Sequence, residues 1–155
     1  MCNVIKSLTK YYDSYILLDN KDFISKSFII VLMLHQLKGV TSVTGGGVSV
    51  FSSGIFNMSG GTISGNRASG GGGVTIDNGQ FRMTGGIISN NIVSLAGGGV
   101  LFLRGSFIMS GGSITENRAS NFGGGVVIQG SGFQQTGGSI RRNTAPDSPN
   151  IFRWR

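Results

Sequence analysis

Cysteine and histidine occur once each in this chain, proline twice, and carboxylates only six times. A lone Cys2 closes no intramolecular disulfide, so it cross-links nothing within the chain and leaves the redox compartment open. His35 sits on an apolar stretch without an orienting partner, the setting of a packed or surface residue rather than of a base. Long hydrophobic runs are missing too. The longest, Phe28 to Leu34, has seven residues, against the roughly 20 that a membrane-crossing helix needs. It follows a stretch holding Asp13, Asp19 and Asp22, a poor basic leader for a secretory signal. No transmembrane helix and no clear signal peptide are expected. Acids are outnumbered, 6 to 13, for a net charge of +7, which favours anionic partners where the cations cluster. The arginines are scattered, and there is neither a basic stripe with interleaved aromatics nor a recognisable module, so nucleic acid is not expected as a partner.

What the chain has is glycine in phase. Gly45-Gly46-Gly47-Val48, Gly71-Gly72-Gly73-Val74, Gly97-Gly98-Gly99-Val100 and Gly123-Gly124-Gly125-Val126 recur every 26 residues. A fixed period of this length marks a solenoid, whose units bury apolar faces only by stacking on one another. All 28 glycines lie at or after Gly39, and all five lysines at or before Lys38. This divides residues 1–40, a segment apolar enough at Tyr15–Leu18 and Phe28–Leu34 to cap the first coil, from a repeat array over 41–155.

Aligned on the valine, three short strands emerge per coil. Val48, Val74, Val100 and Val126 are followed two residues on by Val50, Ile76, Phe102 and Ile128, the period of a strand with one buried face. Phe56, Phe81, Phe107 and Phe133 begin a second stretch, continued by Met58, Met83, Met109 and, as the exception, Gln135. Ile63, Ile88, Ile114 and Ile140 carry the third. A hydroxyl residue and two glycines, as in Ser59-Gly60-Gly61, separate the second from the third, and paired glycines suit corners where side chains would collide. The hydroxyl column of Ser59, Thr84, Ser110 and Thr136 reads as turn chemistry. It lacks the threonine ranks of an ice-binding face. One extra residue between Val48 and Phe56 belongs in a surface turn.

Three residues beyond each isoleucine stands an asparagine: Asn66, Asn91, Asn117 and Asn143. Asparagine tolerates the left-handed region and its amide both donates and accepts, so stacked side chains are expected to form a structural ladder inside the turn. Ala68, Val93, Ala119 and Ala145 follow as a small apolar plug. At the end, Pro149-Asn150-Ile151-Phe152 takes the place of a fifth glycine-valine start, so the array begins a fifth coil and stops. Open coil ends expose strand edges, with end-to-end self-association as the corresponding expectation.

Glycine-glycine-small-aliphatic, paired with an aliphatic residue three before asparagine, resembles the repeat of the chlamydial polymorphic outer-membrane proteins. Its two motifs are GGA followed by I, L or V, and FxxN. Here they read GGGV, with Ile63-Ser64-Gly65-Asn66, Ile88-Ser89-Asn90-Asn91, Ile114-Thr115-Glu116-Asn117 and Ile140-Arg141-Arg142-Asn143. The resemblance covers residues 45–152. Isoleucine replaces the family's phenylalanine, glycine its alanine, and no membrane barrel follows. What it implies is an all-β, right-handed parallel β-helix of the surface-passenger type, adhesin-like or structural, at the cell surface or secreted. The chain would then be a piece of a larger passenger, with a host or cell-surface protein or glycan as partner.

Parallel β-helices also carry polysaccharide lyases and glycosidases, so polysaccharide binding or degradation is the competing class. Such catalysis needs a carboxylate pair or a calcium-holding cluster. Asp77, Glu116 and Asp147 fall in different columns. No catalytic, metal-binding or cofactor-binding residues are assigned, and no enzyme is expected. Arg67 and Arg118 share a column two coils apart. They are solvated charges and the candidates for contact with an anionic glycan.

Overall fold

The computed structural model describes residues 45–154 in full and, before them, the backbone of three short strands: β1 (Ile16–Leu18), β2 (Ile29–Val31) and β3 (Gln36–Lys38). Cys2, His35 and most of the 1–40 segment lie outside the described residues. Among those described there is no helix.

The period of 26 appears directly as strand register. In the first glycine-led coil β4 (Val48–Phe51), β5 (Ile55–Met58), β6 (Thr62–Ser64) and β7 (Arg67–Gly70) follow one another. The second has β8 (Val74–Met83), β9 (Ile87–Ser89) and β10 (Ile92–Ala96). The third has β11 (Val100–Met109), β12 (Ser113–Thr115) and β13 (Arg118–Ala119). The fourth has β14 (Val126–Ile128), β15 (Phe133–Gln135) and β16 (Ser139–Arg141), and β17 (Ile151–Arg153) opens a fifth. Each pairs in parallel with its counterpart one coil away, Val48 with Val74, Val74 with Val100 and Val100 with Val126. The result is a parallel β-solenoid of three sheets.

Two features differ from the expected three strands per coil. The first and second strands fuse in the middle coils into the ten-residue β8 and β11, and all such strands join one nine-stranded sheet. The coil then turns into the sheet of β3, β6, β9, β12 and β16, and a further sheet, β7–β10–β13, adds a strand after Asn66, Asn91 and Asn117. That strand buries too few residues to print a period of two, Val93 and Ala96 in β10 and Ala119 alone in β13. The extra residue of the first coil sits in an exposed turn at Ser52 and Ser53, both at positive φ, which splits β4 from β5. The strands before residue 40 run parallel to β4, β5 and β6, pairing Ile16 with Val48, Ile29 with Ile55 and Gln36 with Thr62.

Like residues stack on like inside. The valine, phenylalanine, methionine and isoleucine columns form one buried core, and Phe56, Phe81 and Phe107 lie face to face at 5.0 and 4.9 Å. Val93, Ala119 and Ala145, with Ala68 against them, make a second, smaller core. Phe133, Ile140 and Ile151 on the last rungs are half-buried. The exceptional Gln135 is exposed there, and the Arg153 guanidinium lies 5.6 Å from the Phe133 ring centroid.

The triple glycines continue the hydrogen-bond ladder round the corner, Gly72 N donating to Gly97 O at 3.1 Å and Gly98 N to Gly123 O at 3.2 Å. A Cβ on Gly99 would stand 2.6 Å from both Gly125 O and Ile114 Cγ2, whereas one on Gly60 would meet nothing within 4 Å. Gly99→Ala is therefore expected to lower stability by about 1–3 kcal/mol through overpacking, and Gly60→Ala to raise it by about 0.4–1 kcal/mol by restricting the unfolded chain. Urea unfolding of the two variants checks the opposite signs.

Candidate functional site

The ladder occupies the turn between the two cores. Asn66, Asn91 and Asn117 are wholly buried and Asn143 nearly so. Asn66 donates from its backbone N (3.0 Å) and Nδ2 (2.9 Å) to Asn91 Oδ1. Asn91 does the same to Asn117 Oδ1, at 3.0 and 2.9 Å, and Asn117 to Asn143 Oδ1, both at 3.0 Å. Each of the last three also donates from Nδ2 to the isoleucine carbonyl one coil back, Asn91 to Ile63, Asn117 to Ile88 and Asn143 to Ile114. Buried amides this fully engaged hold the turn together and offer a ligand nothing. The left-handed residue is the one before each ladder asparagine, at Gly65, Asn90, Glu116 and Arg142. The turn therefore draws on the asparagine for its amide and not for its backbone tolerance.

Sequence reasoning missed the ladder's last member. Asn150 Oδ1 accepts from Asn143 N and Nδ2, both at 3.2 Å, only seven residues further on. Column alignment carries the signal: Asn150 stands where Gly47, Gly73, Gly99 and Gly125 stand, since Val126 pairs with Ile151. In the full coils a Cβ at that place would crowd the coil's own ladder amide, 3.0 Å from Asn117 Nδ2 in the case of Gly99. Asn150 brings its own side-chain amide to the ladder from that position.

Outside, Arg67 and Arg118 begin β7 and β13 and both register with Ile92, one rung from each. All three are exposed, and two rungs of about 4.8 Å separate the guanidinium-bearing strands. Of the three carboxylates, Glu116 lies in the ladder turn, Asp147 bridges to Phe122, and Asp77 faces Arg104. The Arg104 Nε–Asp77 Oδ1 distance is 2.8 Å, and the hydrogen bond first, then the carboxylate charge, raise the arginine's pKa above its ordinary value. The structure does not bring the three acids together. Among the described residues no group of three histidine, cysteine, aspartate or glutamate side chains is placed to hold a metal ion. No helix there is long and apolar enough to cross a membrane.

A groove of about 510 Å³ lies on the outer face of the first strands. Leu101 and Leu103 of β11 and Val127 of β14 lie in it, Leu95 and Phe122 form a wall, and Trp154 lies at the fifth-coil end. Leu95 is 52% and Trp154 54% exposed. Trp154 meets Phe122 edge-on at 5.4 Å and Phe152 at 5.8 Å. These outward positions change from coil to coil, Thr75 then Leu101 then Val127 in strand register, and Asp77, Leu103 and Gln129 at intervals of 26, where a bulge sets Asp77 opposite Arg104. They leave no column to read in the sequence. The buried Thr75 hydroxyl among them has no hydrogen-bond partner.

The chain matches no protein-family model, no curated protein and no solved structure.

Proposed function

We propose that the chain is a non-enzymatic repeat module of a surface-exposed or secreted protein, adhesin-like in role, which presents its outer face to a host or cell-surface partner. The observation that supports this most directly is the division of labour between the two faces. Repeated side chains are turned inward and engaged with one another, while the outer side of the first strands varies from coil to coil and, with the exposed Leu95 and Trp154, lines an open groove. An exposed apolar groove with a polar rim is the surface form of an interaction site. The resemblance to polymorphic outer-membrane repeats points in the same direction.

A second contact is proposed at the start of the β7–β10–β13 strands, where Arg67 and Arg118 line up through Ile92 and would meet an anionic glycan. Beads coated with the chain are expected to adhere to cultured cells above albumin-coated beads. If the arginine row carries that adhesion, it falls with added salt, which screens exposed charges beyond about 10 Å at 0.1 M, and with Arg67→Ala plus Arg118→Ala. Adhesion no greater than albumin's on every cell type tried overturns the adhesin reading. Release of reducing or unsaturated sugar ends from a glycan panel overturns the non-enzymatic one.

A further inference from the structure

We infer that the groove between Phe51 and Trp154 is a binding site for an uncharged, extended glycan chain; the inference rests on the surface-module reading and names the partner of that same face. Its length comes from the stack. Phe51 pairs with Asp77 one coil on, Leu101 pairs with Val127, and Trp154 N donates to Ile128 O on the fifth rung. The floor spans four steps of about 4.8 Å, or roughly 19 Å. Such a trough accommodates a chain rather than a compact small molecule.

Charge narrows the occupant. The groove's carboxylate, Asp77, is held at 2.8 Å by Arg104, so the pair cancels and favours neither an anionic nor a cationic ligand. What remains is apolar and aromatic surface, Phe51, Leu103, Phe122 and Trp154, edged by groups that both donate and accept, Asn121 and Gln129. A sugar ring has the matching form, with a face of C–H groups to lie on an aromatic ring and a rim of hydroxyls for amide and carboxylate. A peptide matches less well. The floor is the face of a sheet and not its edge, and the N–H and C=O groups of β8 and β11 already pair with neighbouring rungs. An extended peptide would find no main-chain partners there, and strand addition depends on them.

The chain has one tryptophan, and it lies in this groove, so its emission reports on the site alone. The intact chain is titrated with soluble oligosaccharides of β-linked glucose, mannose and xylose, and with heparin as the charged counterpart. One neutral series is expected to shift Trp154 emission saturably, to tighten with length up to about four rings, and to hold its affinity at high salt. Asp77→Asn, which keeps the tryptophan, weakens that affinity at least tenfold. Trp154→Ala abolishes retardation in a gel containing the corresponding polysaccharide. A response to heparin alone that vanishes with salt overturns the inference, as does no response to any sugar. So does sedimentation as a dimer whose tryptophan is shielded from a soluble quencher, since a second copy then fills the groove. Cell adhesion that persists with no sugar response sinks the glycan and spares the surface role. A sugar response without adhesion does the reverse.

Discussion

At neutral pH Asn91→Asp unfolds at a lower urea concentration than Asn91→Ala, and the gap closes on acidification. Replacement by alanine removes four hydrogen bonds from a fully buried site: the two that Asn66 donates to Oδ1, and those from Nδ2 to Asn117 Oδ1 and Ile63 O. A buried group left unpaired costs about 1–3 kcal/mol, so the alanine variant loses about 3 kcal/mol or more. Aspartate keeps the two accepted bonds but turns an oxygen without hydrogen toward two other oxygens. It also places a negative charge at a site wholly shielded from water. Burial raises such a carboxyl's pKa in the folded state above its unfolded value of about 3.9. The folded form then holds the proton more tightly, and stability relative to wild type is greatest below about pH 4, falling as pH rises towards the folded pKa. Equal midpoints of the two variants at pH 7, or an aspartate variant that gains stability with rising pH, would show that the ladder is not closed to solvent.

The second large effect falls on the phenylalanine row. Phe81 is sandwiched between Phe56 and Phe107, with ring planes 11° and 13° apart. Phe81→Ala is expected to lose about 3–5 kcal/mol, the range for a buried aromatic whose cavity cannot collapse. Native domains hold about 5–15 kcal/mol in all. In a stack where each coil contacts only its neighbours, loss at a central rung weakens both interfaces at once. Phe133→Ala is the internal comparison. That ring is half-buried and tilted 45° from Phe107, so its truncation is expected to cost well under half as much. Chemical denaturation of both variants reads the gradient, and equal losses would contradict a core that thins toward its last rung.

Much of this was legible because a solenoid repeats its constraints. Valine, phenylalanine and isoleucine kept in phase through four units implied a shared interior, and the asparagine column implied amides within bonding reach of each other. The fifth start at Pro149–Phe152 does add a strand, β17 on β14. Less legible were features that occur once or that involve too few residues. The strand carrying Arg67, Ile92 or Arg118 buries at most two residues per coil, and those three apart, as at Val93 and Ala96. Asn150 closes the ladder out of period. The left-handed backbone lies one residue before the asparagine, at Glu116 and Arg142, types that announce no such conformation.

By itself the sequence determined the period, the inward rows and their parallel stacking, because a residue buried against its own copy must recur at every turn. Only the tertiary structure decided the outer face. Leu95, Phe122 and Trp154 lie 27 and 32 residues apart along the chain, and no repeat relates them. It is the winding of successive coils that brings them to one groove, and non-repeating residues carry no phase from which that meeting can be read.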